Sequence, residues 1–289
     1  MEEKYLKLLK SILGDDTEVI SSLQGGMMNE AYIVSSKKGK FVYYISTKQA
    51  NEMVDRALEK ETQNIAFNLG ITSENIYFDL EKGIKINRFI DGDSINHIDN
   101  FDYEKVAKLL ATLHSSKVKA SVYYDPLGRL IAYRKEAETF VKKFDDDFYK
   151  LFALIEENKS FLLSQELVLA HNDAQRSNIV RSSDNKYFLI DYEFAANNDP
   201  IYDIATFGNQ DVLEGKKLLE FYTKIVPTKD ALKRYALWRI DISLQWYLVA
   251  NIKHYRGEGK VHNMNFLDVA AHFLNNALNA YKLLKEINN

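Results

Sequence analysis

No cysteine occurs anywhere in the 289 residues, which excludes disulfide frameworks, thiolate nucleophiles and Cys-ligated metal centres. Proline is nearly as scarce, with three in the chain, so there is no Pro-rich linker and any lobes are joined closely. No window approaches 18 consecutive apolar residues, and a membrane-spanning helix is not expected. The opening stretch "MEEKYLKLLKSILGDD" carries acids from its second residue and no long apolar run. It does not read as a signal peptide. Neither sign of charge dominates: 38 Lys and Arg stand against 41 Asp and Glu, a net charge of -3. Without a basic stripe, nucleic acid is not an expected partner. Together these absences describe a soluble cytoplasmic protein that acts on a small molecule, with no membrane partner and with its oligomeric state open.

What is present has the periodicity of a mixed fold. Leu6, Leu9, Ile12 and Leu13 share one face of an amphipathic helix over residues 5–13. Residues 19–23 and 31–34 read as strands joined by a turn at Gly25-Gly26, and "GKFVYYIS" as a third. A helix follows over residues 53–69, with Gly70 as its stop. "NIYFDLEKGIKINRFIDG" supplies two more strands around Glu81-Lys82-Gly83. Sheet, helix, sheet makes a small lobe over residues 1–92. Residues 103–114 place Val106, Leu109, Leu110 and Leu113 on one helical face, residues 130–163 also read as helical, and helices dominate from Asp211 onward. The second, larger lobe therefore spans residues 93–289.

Two apolar segments in that lobe are interrupted by polar residues: "LVLAHNDAQRSNIV" from Leu167 and "YFLIDYEF" from Tyr187. Polar groups so close to a core cost free energy unless they find partners. Asp173 is followed five residues later by Asn178, and the apolar-flanked Asp191 comes about a dozen residues beyond. That is the spacing of phosphoryl transfer in kinase-like folds. One carboxylate must sit beside the acceptor hydroxyl to orient it and take its proton. A second carboxylate and an amide oxygen must hold Mg²⁺, a hard cation that prefers oxygen. Each residue alone has a plainer reading: His171 and Asp173 in a turn, Asp191 paired with a buried base. The combined spacing favours a catalytic loop. Gly25-Gly26, between two strands, would let backbone N–H groups approach a triphosphate without Cβ obstruction, although a lone Gly-Gly pair is also an ordinary hairpin turn.

With "LQGGMMNEAYIV", "GIKINRFIDG", "HNDAQRSNI", "LIDYEFAANNDPIYDIA" and the helical C-terminus in order, the chain resembles the choline/ethanolamine kinase branch of the aminoglycoside-phosphotransferase-like kinases over nearly its whole length. The resemblance implies an α+β, bilobal protein-kinase-like fold. A small N-terminal antiparallel-sheet lobe would bind nucleotide, and a larger, mainly helical C-terminal lobe would carry catalysis and the acceptor. It implies ATP as co-substrate, Mg²⁺, and a small amino alcohol, choline first, as acceptor. Asp173 would be the catalytic base, with Asn178 and Asp191 as Mg²⁺ ligands. Gly25, Gly26 and Asn29 would cover the phosphates, and Asn87 and Phe89 of "KINRF" would hold adenine through the backbone. Glu59 would orient the phosphate-binding base, with Glu61 as competitor, and Asp203 would brace the catalytic loop from below. An aminoglycoside acceptor and a non-catalytic pseudokinase are the rival readings.

Two positions depart from the family pattern. The third strand of such kinases presents Lys or Arg to the phosphates, whereas "FVYYIS" has Tyr44, a phenol that carries no positive charge at neutral pH. Arg56, in "VDRALEKE", is the expected substitute, with Lys48 behind it; the plainer reading of Arg56 is a surface residue. The second departure is in the late helix, where two Trp a turn apart are replaced by Ser243 and Trp246. Trp246, Tyr202, Tyr247, Phe266 and Glu193 would build the pocket for a cationic acceptor, and Gln175 would contact its hydroxyl. The plainer reading of Trp246 is a core aromatic.

Overall fold

The structure is a computed structural model that describes residues 1–23, 29–262 and 264–288. Gly25 and Gly26 lie outside the described residues. The chain begins with α1 (Glu3–Leu13) and a meander of β1 (Glu18–Leu23), β2 (Asn29–Ser36) and β3 (Gly39–Ser46). Helices α2 (Lys48–Met53) and α3 (Arg56–Asn68) follow, then β4 (Asn75–Asp79), β5 (Ile84–Arg88) and β6 (Gly92–Ser94). Next come α4 (Tyr103–His114), α5 (Pro126–Ala137), α6 (Asp146–Glu157), α7 (Lys159–Leu163) and β7 (Val168–Ala170). Strands β8 (Ile179–Ser182), β9 (Tyr187–Leu189) and β10 (Ala196–Asn198) precede α8 (Pro200–Phe207) and α9 (Val212–Thr223). The chain ends with α10 (Lys229–Tyr255), α11 (Gly259–His262) and α12 (Phe266–Asn288). No helix among the described residues is long and apolar enough to cross a membrane.

The chain forms two compact units. One comprises residues 1–101 and 177–196, the other residues 102–176 and 197–289. The first is built on a five-stranded antiparallel sheet in the order β1-β2-β3-β5-β4. Its two faces differ sharply. Leu9 and Leu13 of α1 pack on Phe41, Tyr43 and Ile45 of β3 and on Ile84 and Ile86 of β5. Because strand side chains alternate between faces, Tyr44 and Lys85 are forced to the opposite side, and the register sets them directly across from each other. A second sheet, β6-β8-β9, carries the hairpin formed by residues 179–189.

The helix expected over residues 53–69 is α3, which starts at Arg56, with Met53 closing the separate α2. Asp55 caps α3 by accepting from the backbone N–H groups of Ala57 and Leu58, both at 3.0 Å, and an Asp in that role restarts a helix at the next residue. The C-terminal end is as expected: Gly70 follows with φ +72°, a conformation that glycine adopts without strain. The buried face of α3 is unusual, because Arg56, Glu59, Thr62 and Gln63 share it with Ala66. Hydrophobic packing does not explain such a face; it has to be matched by polar partners.

The second unit is helical. Its axis is α10, 27 residues long and buried on most sides, against which α12, α5, α8 and α6 pack. Trp238 and Arg239 are among the largest side chains in the molecule that are fully buried. The span 130–163, read as one helical stretch, is divided among α5, α6 and α7, and Asp145 caps α6 through the backbone N–H of Asp147.

Candidate active site

In the first unit the polar face of α3 meets the polar face of the sheet. Capping at Asp55 puts Arg56 and Glu59 one turn apart on the same side of the helix. Arg56 Nη1 donates to Glu59 Oε2 at 2.6 Å and to Glu193 Oε1 at 3.3 Å. Its Nε donates to Asn51 Oδ1 at 3.2 Å, and its Nη2 donates to Ser46 Oγ. Lys85 Nζ donates to Glu59 Oε1 and lies 3.5 Å from Asp191 Oδ1 and 4.8 Å from the centre of the Tyr44 ring. Asn29 Nδ2 donates to Glu193 Oε1. Arg56, Glu59 and Lys85 are 5%, 1% and 2% exposed, so this is a buried network and not a surface ion pair. Glu61 is exposed, and Lys48 is an exposed partner of Glu52 at 3.9 Å; neither belongs to the cluster.

The β8–β9 hairpin delivers the remaining carboxylates. The backbone N–H of Leu189 donates to Ile71 O at 2.8 Å, and that of Ile190 donates to Asn178 O at 2.9 Å. These bonds fix the two residues that lead into Asp191, which sits at φ +69°. An L residue holds that left-handed conformation only at a cost, and Asp is among the types that tolerate it. Glu59, Asp191 and Glu193 each offer an oxygen, all within 4.8 Å of one another. Asp191 Oδ1 is buried with no hydrogen-bond partner among the described residues. A buried carboxylate oxygen answered only by the Lys85 ammonium at 3.5 Å, beside two more carboxylates and the buried Asn178, whose backbone carbonyl accepts from the Ile190 N–H, is a donor set that fits a hard divalent cation.

Charge sets the protonation of the cluster. Burial alone would raise the Glu59 carboxyl, but Lys85 and Arg56 outweigh it and hold Glu59 below the usual carboxylate range. Burial would likewise lower Lys85, and the carboxylates of Glu59, Asp191 and Glu193 overcome that and raise it. Tyr44 is pushed up to about 12, first by burial, so it stays a neutral phenol. Burial and neighbouring carboxylates raise Asp191 and Glu193.

In the second unit the loop after β7 is held from beneath. Asp203 accepts from the backbone N–H groups of His171 at 2.8 Å and Asn172 at 2.7 Å, and it meets His114 Nε2 at 2.9 Å. Burial opposes its charge, yet His114, the largest of the favourable contacts, helps to keep its pKa below the ordinary value. Asn172 sits at φ +63° and its Oδ1 accepts from Asn198 Nδ2 at 2.8 Å. The loop therefore has a fixed base from which Asp173 projects, half-buried, with Gln175 Nε2 donating to its Oδ2 at 3.3 Å. This is the bracing role expected of Asp203.

The aromatic residues named for the acceptor do not gather in one place. Tyr202 packs against Tyr124 at 5.5 Å and edge-on against Trp238 at 5.3 Å. Trp246 stacks on Phe273 of α12 at 5.5 Å. Tyr247 stacks on Phe148, and Phe266 is buried at the start of α12. Ser243 stands where an aromatic was expected and serves a buried base instead, its Oγ accepting from Arg239 Nη2 at 2.8 Å. The Arg129 guanidinium lies 5.2 Å over Tyr124 and 5.4 Å over Tyr133.

Lys85 joins the cluster, whereas the sequence reading places it only in the strand "KINRF" assigned to adenine. The signal for Lys85 was available as a lone Lys between Ile84 and Ile86 in a strand, where alternation aims it at the face opposite the core. Asn87 and Phe89, assigned to adenine, stand at the exit of β5. The Asn87 side chain accepts from Asn75 at 2.8 Å, and the Phe89 N–H donates to Lys40 O at 3.1 Å.

A family model described as choline/ethanolamine kinase matches residues 20–228. The chain is 27% identical to Protein LicA of Haemophilus influenzae over 283 residues, covering 91% of this chain and 79% of that protein. Choline kinase LicA from Streptococcus pneumoniae superposes with a TM-score of 0.75 at 22% identity, covering 98% of this chain and all of that one. A structure of LicA in complex with AMP superposes with a TM-score of 0.73 at 23% identity, covering 99% of each chain. The fold is thus kinase-like.

Proposed function

This chain belongs to the choline/ethanolamine kinase family, small-molecule kinases that use ATP to phosphorylate a hydroxyl acceptor, and from that premise we propose that its acceptor is a small amino alcohol, choline first. The observation that carries the reading is the loop resting on Asp203, which fixes the backbone immediately before Asp173. All three proposed catalytic residues, Asp173, Asn178 and Asp191, fall inside the family match.

Asp173 would accept a hydrogen bond from the acceptor hydroxyl, orient its oxygen and take its proton as the bond to phosphorus forms, with Gln175 steadying the carboxylate. Asn178 and Asp191 would hold Mg²⁺, joined by Glu193. Bound there, Mg²⁺ would offset the negative charge of the nucleotide phosphates. Asn29 and Arg56 would position Glu193, and Glu59 would position the cations of the cluster. Asn87 and Phe89 remain the proposed adenine contacts. Residues 1–92, with 177–196 packed among them, would serve as the nucleotide-binding part, and the rest of 93–289 would carry the base and the acceptor site. Catalysis would rest on positioning and electrostatics, with no covalent enzyme intermediate. A kinase that draws on ATP in this way would work in the cytoplasm.

For the acceptor, the half-buried Tyr124, backed by the buried Tyr202 and Trp238, would present an aromatic face to a quaternary ammonium, and Trp246, Tyr247 and Phe266 remain proposed contacts. The test is phosphate transfer from Mg-ATP to choline, ethanolamine and an aminoglycoside. Choline is expected to be turned over with the highest kcat/KM, and Asp173→Ala is expected to lower kcat by ~10²–10⁴-fold. A preference for the aminoglycoside overturns the acceptor, turnover that survives Asp173→Ala overturns the base, and no turnover with any acceptor favours the pseudokinase.

A further inference from the structure

Lys85 is a buried cation that the reading above leaves without a role of its own. A lysine between Ile84 and Ile86 in a central strand, 2% exposed, is costly to fold around unless its charge is answered. The two cations of the cluster are answered differently. Each of the three side-chain nitrogens of Arg56 already donates: Nε to Asn51, Nη1 to Glu59 and Glu193, Nη2 to Ser46. Arg56 is a strut, tied into helix, strand and hairpin at once. Lys85 has three donors on one nitrogen, one given to Glu59, with Asp191 3.5 Å away and the Tyr44 ring at 4.8 Å. An ammonium on a flexible stem can turn a donor to an incoming anion without breaking its hold on Glu59.

Its position is as telling as its bonds. Tyr44 and Lys85 are directly paired across β3 and β5, and paired residues on one face have Cβ atoms only about 4.5–5.5 Å apart. A base on either strand therefore reaches the same volume beside Glu59 and Asp191. Tyr44 cannot supply that base, and its ring instead lies under the Lys85 ammonium, an attraction between a cation and an aromatic face. We infer that Lys85 is the sheet cation that contacts the phosphates of the nucleotide, carried on β5 in place of a base at Tyr44, with Glu59 holding it and the Tyr44 ring backing it. This rests on the kinase reading above.

The test uses the full chain and transposes the charge. Lys85→Met, Lys85→Arg and the double variant Tyr44→Lys/Lys85→Met are compared with the parent for Mg-ATP affinity by calorimetry. KM for ATP, kcat, KM for the acceptor and melting temperature are measured alongside. Lys85→Met is expected to weaken Mg-ATP binding and raise KM for ATP by roughly tenfold or more, leaving KM for the acceptor unchanged. Lys85→Arg should stay within a few-fold of the parent, and the double variant should recover most of the lost affinity, because the charge returns from the neighbouring strand. If Lys85→Met lowers the melting temperature but binds Mg-ATP as the parent does, Lys85 is structural and the inference is overturned. If Lys85→Met does not fold, the double variant decides: parent-like Mg-ATP affinity supports the inference, and a folded double variant that binds none overturns it. A parent that neither binds Mg-ATP nor transfers phosphate defeats the kinase reading itself, which is a different result from an active parent indifferent to Lys85→Met.

Discussion

The two units bury charge in opposite ways. In the first, Arg56 and Lys85 face Glu59, Asp191 and Glu193 directly, and opposite charges raise the lysine and lower the glutamate between them. In the second, Arg239 and Asp241 are both fully buried on α10, two residues apart, and the hydrogen bonds that hold each run to neutral groups. Arg239 donates to Ala205 O, Asn209 Oδ1 and Ser243 Oγ, and Asp241 accepts from Gln245. Burial accordingly lowers Arg239 to about 10 and raises Asp241 to about 8. A cluster with three carboxylates and two bases is poised for an added cation, whereas neutral hydrogen bonding fixes helices in place without inviting a ligand. Density of buried charge alone does not locate a site; what matters is whether the charges face one another with an excess of one sign.

Glu59→Ala should break this contrast most severely. It leaves Arg56 and Lys85 buried without the carboxylate between them, and loss of one partner from a buried pair costs ~3–5 kcal/mol. Denaturant unfolding should show that loss, together with a fall in kcat/KM. Ser243→Ala probes the neutral network. It strips one acceptor from a buried guanidinium and should cost about 1–3 kcal/mol of stability, with KM for ATP and for the acceptor unchanged. A shift in the acceptor KM would return Ser243 to the pocket.

The effect of Asp241→Asn depends on pH, and it has a sign. The Asp241 carboxyl titrates at about 8 when folded and near ~3.9 when unfolded. Between those values the folded state holds the extra proton, so this residue makes stability fall as pH rises from about 4 to about 8. Asp241→Asn removes that dependence. Its melting temperature should exceed the parent's most at about pH 9, with the gap closing towards about pH 4.

Much of the fold was legible because it depends on local periodicity. The helix read over residues 103–114 has those same bounds in the structure, and the five strands of the first sheet were all expected. The loop geometry beneath Asp173 followed from the placement of Asp203. Lys85 was harder to see, because its strand was read as a backbone element and its significance lies in the pairing with Tyr44 across β3. The break before α3 was visible in principle, since Asp55 is a good cap, but the apolar period runs through it. Ser243 was read against an expected aromatic, while its partner Arg239 stands one helical turn earlier on the same face. Trp246 and Tyr202 share a unit yet touch different rings, and only three-dimensional packing sorts them.

The discontinuity of the first unit has a consequence for the newborn chain. Its sheet is complete when residue 101 leaves the ribosome, but Asp191 and Glu193 belong to residues 177–196. At ~5–20 residues per second, the sheet waits ~5–20 s for the hairpin that supplies them. Through that interval Glu59 is the one carboxylate of the cluster available to Arg56 and Lys85, and residues 102–176 of the second unit are made before the first is finished. Synthesis of this protein is therefore an interleaved event, and its charged centre closes late.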